Sequence, residues 1–164
     1  YHNPRNVFVA GFIGSPAMNF FDASLRAENG GIVVDTGSFQ LKVPAEKAGP
    51  YQSYVGKDVV FGIRPEDIHD RAFVPPGIIP ADIDAMVDVV EQMGNEMIIH
   101  LQKDEHSFIA RTDPRTAASV GNGINLIINM DNMHIFDAET ELSLAYEQKG
   151  EEFSNRKKKL NLSK

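Results

Sequence analysis

Residues 85–103 read Ala-Met-Val-Asp-Val-Val-Glu-Gln-Met-Gly-Asn-Glu-Met-Ile-Ile-His-Leu-Gln-Lys, two apolar-rich runs of similar length on either side of Gly94-Asn95. A two-residue Gly-Asn link suits a type II′ turn, so the spacing predicts an antiparallel hairpin with arms at 85–93 and 96–103. In the second arm Met97, Ile99 and Leu101 share one face, which sends Ile98 and His100 to the other. The turn needs Gly94, and Glu91 and Glu96 beside it read as exposed strand ends.

The same texture extends outward in both directions. Upstream, residues 20–27, 32–35 and 39–43 form strand-like runs separated by Asn29-Gly30-Gly31 and Thr36-Gly37-Ser38, the pattern of a meander. Residues 44–56 read as a connection with one helical turn around 45–48. Residues 59–64 make another strand, stopped by Pro65, which has no N–H to give a ladder. Pro75-Pro76-Gly77 and Pro80 mark 70–80 as a loop. Downstream, Asp104-Glu105 turns the chain into 106–112, Val120-Gly121-Asn122-Gly123 turns it again, and 124–130 and 133–136 complete the series. Roughly nine short strands with regular turn signals predict an all-β Greek-key barrel or sandwich. The expected division is two strand-rich lobes, about 17–70 and 81–146.

The two ends differ from this body. Asn3 can cap a helix, Pro4 suits its first turn, and Gly14 with Pro16 stops it, so a helix is expected over 1–16. Phe8/Phe12 and Val9/Ile13 give it an apolar face that must dock on something. A capped helix this early reads as a link from an upstream domain. At the other end, residues 147–164 include Arg156-Lys157-Lys158-Lys159 and read as a charged, disordered tail.

Charge and composition exclude several functions. Residues 1–146 hold ten Lys and Arg against twenty Asp and Glu, which opposes binding to nucleic acid, where phosphates call for bases. Cysteine is absent, removing disulfides and thiolate chemistry. His2, His69, His100, His106 and His134 are scattered without ligand spacing, and a surface or structural role is expected for His100. The Gly30-Gly31 and Gly121-Asn122-Gly123 clusters lack the G-x-x-x-x-G-K-[ST] loop that wraps a triphosphate. No catalytic, metal-ligating or cofactor-binding residue is therefore expected.

Three segments are more particular than their surroundings. The stretch Phe12-Ile13-Gly14-Ser15-Pro16-Ala17-Met18-Asn19-Phe20 runs from a helix stop straight into a strand, a rigid corner. In Phe61-Gly62-Ile63-Arg64-Pro65-Glu66-Asp67, a glycine inside a strand implies a bulge or the close approach of another backbone. Arg64 at the strand end suits a pair with Glu66 or with a partner's carboxylate. The third is the hairpin turn carrying Glu91, Gly94 and Glu96.

Together these segments resemble the C-terminal part of ATPase subunits from maltose- and multiple-sugar-type ABC importers, a group that includes glycerol-phosphate importers. Residues 1–20 are similar to that family's Y-x-x-P-x-N-x-F-V-A-x-F-I-G-S-P-x-M-N-F, and residues 62–66 to its G-I-R-P-E. Val87, Glu91, Gly94, Glu96 and His100 fit its V-x-x-x-E-x-x-G-x-E-x-x-x-H, and Met133-His134-Ile135-Phe136-Asp137 its closing strand. The resemblance implies an OB-like (TOBE) fold that pairs across a two-fold axis and holds two ATPase domains together as they open and close. It implies partners: a second copy, the parent's own ATPase domain (which would bind ATP and Mg), the membrane permease indirectly, and in some members an inhibitory regulator. It also implies a cytoplasmic place at the inner face of the membrane. Gly14, Ser15, Pro16, Met18, Asn19, Phe20, Gly62, Arg64, Pro65, Glu66, Glu91, Gly94 and Glu96 are the candidates for those contacts. A rival reading is the small-oxyanion module of molybdate systems, of related fold, although no Ser/Lys-rich anion loop is present.

Overall fold

The structure is a computed structural model that describes residues 17–145. The expected linker helix and the basic tail, with Gly14, Ser15 and Pro16 among them, lie outside the described residues. Ten strands follow one another: β1 (Asn19–Glu28), β2 (Gly31–Asp35), β3 (Gln40–Lys42), β4 (Asp58–Ile63), β5 (Ile68–Asp70), β6 (Pro80–Gln92), β7 (Met97–Lys103), β8 (His106–Thr112), β9 (Gly123–Asn129) and β10 (His134–Asp137). They form two five-stranded sheets, ordered β10-β4-β1-β2-β3 and β5-β9-β6-β7-β8.

Turn chemistry sets the local register. Asn29 and Gly30 both adopt positive φ (49° and 78°), and Glu28 pairs with Gly31, giving the tight β1–β2 hairpin that Asn-Gly favours. In the β6–β7 hairpin only Gly94 is positive (74°), the sign pattern of a type II′ turn, and the Met93 N–H donates to the Glu96 carbonyl at 2.9 Å, closing the hairpin. The connection between β3 and β4 contains two 3₁₀ turns, at Ala45–Lys47 and Gly49–Tyr54, where one was expected. Pro80, expected in a loop, is the first residue of β6, a place where proline costs no ladder bond.

Strands β1–β4 build the first sheet and β6–β9 the second, with one strand exchanged in each direction. β5 leaves the first half to pair with β9 in the second sheet, and β10 returns from the second half to pair with β4 in the first. The chain therefore crosses between sheets twice. β8 returns beside β5 and the Pro65–Asp67 turn, so the second sheet curls towards closure.

One continuous core serves both sheets, containing Phe21, Leu25, Val34 and Phe61 from the first and Val87, Ile99, Phe108 and Leu126 from the second. Phe21 is its centre. Its ring lies 5.3 Å from Phe39, 5.5 Å from Phe108, 5.6 Å from His106 and 6.1 Å from Phe61. Each such side chain contributes about 1.5–3 kcal/mol through burial, and edge-on ring contacts add to that. The cluster thus joins β1 and β4 to β8.

Candidate functional site

Met18-Asn19-Phe20 opens β1 and fastens the two sheets. The Asn19 amide accepts from the Ile109 N–H and donates to the Ile109 carbonyl, both at 2.8 Å. Ile109 sits in β8, at the border of its sheet, and Asn19 supplies the two bonds that a neighbouring strand would otherwise make. Asn19 is buried, so loss of its amide would leave two backbone groups without partners. On the outer face of the first sheet, Met18 and Phe136 form a second apolar cluster, with Phe20 set edge-on to Phe136 at 6.0 Å.

Gly62 lies under this cluster and explains it. Its strand is regular: Gly62 pairs with Phe20 on one side and His134 on the other, without a bulge. A Cβ at this position would meet the Met18 sulfur at 2.7 Å and Phe136 Cε2 at 3.0 Å. The close approach expected at Gly62 is therefore real, but side chains make it rather than a backbone. Among the described residues the register shift in the strand pairs falls between Val87 and Val89, in β6.

Arg64 and Pro65 also differ from expectation. Both are buried, Arg64 with 4% of its surface exposed, so this strand end is interior and not an open contact surface. The chain turns through Pro65–Asp67 directly into β5, folding the segment beneath the second sheet. Asp67, buried beside it, accepts from the Asn132 amide at 2.8 Å, which ties the first crossing between sheets to the second. Glu66 alone in residues 62–66 keeps partial exposure.

The hairpin segment has the opposite character. Glu91 pairs with His100 at 2.9 Å and Glu96 with Arg111 at 3.2 Å, both on the outer face of the second sheet. Farther along, Asp84 pairs with Lys103 at 3.1 Å and Asp82 with Arg71 at 3.0 Å. His100 thus has the surface role expected of it. His106 was not singled out in the sequence, yet it lies edge-on to Phe21, with its Nε2 3.2 Å from the Thr36 carbonyl. Half-buried His69 in β5 has its pKa lowered by desolvation. Among the described residues no group of three or more His, Asp or Glu is placed to share a metal, and no helix is long and apolar enough to cross a membrane.

Two curled antiparallel sheets wound on one core, with side chains clamped across their junction, define a β protein of the OB-like (TOBE) class. Comparison with known proteins gives the same result. Residues 14–68 match the MalK OB fold domain and residues 61–136 the TOBE domain. The chain is 43% identical over 146 residues to the oligosaccharides import ATP-binding protein MsmX of Bacillus subtilis, covering 88% of this chain and 39% of that protein. It is 39% identical over 144 residues to the trehalose/maltose import ATP-binding protein MalK of Thermococcus litoralis, covering 85% and 38%. The chain belongs to the OB/TOBE domain family found in ATP-binding proteins of sugar-import ABC transporters. It spans about two fifths of the length of these relatives. Among solved structures it resembles the cytoplasmic molybdate-binding protein ModG, with a TM-score of 0.51 and 16% identity over 71% of this chain and 94% of that one, a likeness of fold.

Proposed function

We infer that this chain is the regulatory and dimerisation domain of the ATP-binding subunit of a sugar-import ABC transporter. The observation that carries the reading is the ordered succession of the two domain matches, within relatives that are import ATP-binding proteins. On this reading ATP and Mg bind elsewhere in the parent subunit, and the chain contributes no reacting group. The parent lies at the cytoplasmic face of the membrane, against permease subunits, with no nucleic-acid partner.

The domain acts by pairing. Two copies that stay joined keep their ATPase domains at high effective concentration after nucleotide leaves. A regulator that prefers the open or the closed arrangement then shifts the whole cycle. The surface positions Glu66, Glu91, Gly94 and Glu96 suit such contacts. Met18, Asn19, Gly62, Arg64 and Pro65 serve from beneath, by fixing the shape that those positions share. Sedimentation equilibrium well above micromolar concentration tests the pairing: a monomer–dimer equilibrium is expected, and monomer alone overturns it.

The likeness in fold to a molybdate-binding protein raises an oxyanion reading. One groove argues against it, because Asp22, Asp35 and Asp58 line it without a Lys or Arg, whereas another sets Lys42 beside Glu28. Carboxylates repel an oxyanion at this range. Calorimetric titration with molybdate, tungstate and sulfate is expected to show no binding heat, and a strong exotherm would restore that alternative.

A further inference from the structure

β6 carries an exposed apolar feature at a break in its register. Its inward residues are Ile83, Ala85 and Val87, after which the register shift places both Asp88 and Val89 on the outside. A bulge of this kind re-aims side chains. Here it brings Val89 (44% exposed) onto the same face as Met86 (48%). The turn before β9 is tied to the bulge, since the Gly121 N–H donates to the Val87 carbonyl and the Val87 N–H to the Asn122 carbonyl, both at 2.8 Å. Val120 (66% exposed) stands beside that turn. Three of the five large apolar side chains exposed among the described residues thus surround one bulge. Apolar side chains scattered singly are ordinary, but a contiguous group marks a contact surface.

The rim is acidic. β6 bears Asp82, Asp84, Asp88 and Glu91 and no Lys or Arg. Two of these have cationic partners on neighbouring elements, Arg71 and Lys103, and Glu91 contacts the His100 ring at 2.9 Å. Asp88, at the bulge itself, has no ion pair among the described residues. The complementary ligand is a segment that joins several cations to a few aliphatic side chains. The chain carries one: Arg156-Lys157-Lys158-Lys159-Leu160-Asn161-Leu162, outside the described residues, holds four of the six bases found in residues 147–164.

We propose that this basic stretch is the occupant of the Met86–Val89–Val120 patch within its own chain, with Leu160 and Leu162 on the apolar group and the cations on the carboxylate rim. Reach is sufficient. The eleven positions from 146 to 156 span up to about 36–40 Å when extended, at about 3.3–3.6 Å each. A domain of this length has a radius of gyration of about 14 Å, so the stretch can arrive at any face. Tethering raises its local concentration to the order of millimolar, enough for weak contacts to be populated.

The chain has no cysteine, which makes the test clean. A nitroxide attached to the full chain through Ser163→Cys is expected to broaden the methionine methyl signal of Met86 strongly and that of buried Met133 less. Adding R156Q, K157Q, K158Q and K159Q to the labelled chain should restore the Met86 signal. So should salt at about 1 M, where the Debye length falls to about 3 Å. A Met86 signal equally strong with and without the four substitutions overturns the proposal, whatever the basic run binds elsewhere. Broadening that disappears on dilution would assign the stretch to a neighbouring chain and overturn the intrachain occupant.

Discussion

Residues 62–66 and residues 87–100 both fit motifs of one protein family, yet the first segment lies mainly beneath the surface and the second mainly on it. In the first, Gly62 is tight against Met18 and Phe136, and Arg64 and Pro65 are buried at a crossing between sheets. In the second, Gly94 turns a hairpin into solvent, and Glu91 and Glu96 hold cross-strand partners on an outer face. A motif match therefore says that a residue type is needed at a position, not which physical demand needs it. Burial separates the two demands: one segment shapes the domain, and the other displays a surface.

The largest test of that contrast is Arg64→Glu. An open strand end would accept the reversal, with loss of pairing and no loss of fold. A residue with 4% exposure will not, because the substitution buries a carboxylate where a guanidinium is accommodated. We expect a loss of about 3–5 kcal/mol in urea denaturation, the scale of leaving a buried charge uncompensated. A variant of unchanged stability that fails only to dimerise would return Arg64 to the surface class. Next comes Gly62→Ala, expected to cost about 1–3 kcal/mol through overpacking. Combining it with Met18→Ala should recover part of that cost, since the sulfur is the nearer obstacle. Strict additivity of the two substitutions would remove Met18 as the cause.

The degree to which each segment was legible follows from the same contrast. Local chemistry was readable: the Asn29-Gly30 and Gly94-Asn95 turns, the breaks at glycine and proline, and the alternation that sent His100 outward all rest on neighbours in sequence. What the local pattern could not carry was long-range pairing. Nothing local to Ile68 or His134 states that β5 and β10 exchange sheets. Burial of Arg64 was equally hidden, because arginine is usually exposed and only the crossing at Pro65 covers it. The bulge did leave a trace. Ile83, Ala85 and Val87 alternate and Val90 breaks the alternation by one, whereas the glycine rule drew attention to Gly62. Asn19 was recognisable as part of a motif, but its clamp on Ile109 joins residues 90 positions apart.

On the surface side smaller effects are expected. Gly94→Ala forces a side chain onto a φ of 74° and should cost about 1–2 kcal/mol, while leaving the core at Ile99 and Leu101 intact. Amide exchange should then accelerate at Met93 and Glu96 before it does in the strands. Uniform acceleration along β6 and β7 would mean that the turn organises the whole sheet.

His100→Ala is the smallest. Its ring contacts Glu91 at 2.9 Å, but both side chains are substantially exposed, so solvent screens the pair and ordering two side chains offsets much of its attraction. About 0.5 kcal/mol or less is expected. Dimerisation is the more informative readout. If the second segment displays a contact surface, this substitution should alter association in sedimentation while stability barely moves, the reverse of Arg64→Glu. A loss of several kcal/mol at His100 would instead mean that the outer face is part of what holds the sheet together, and the contrast between the two segments would collapse.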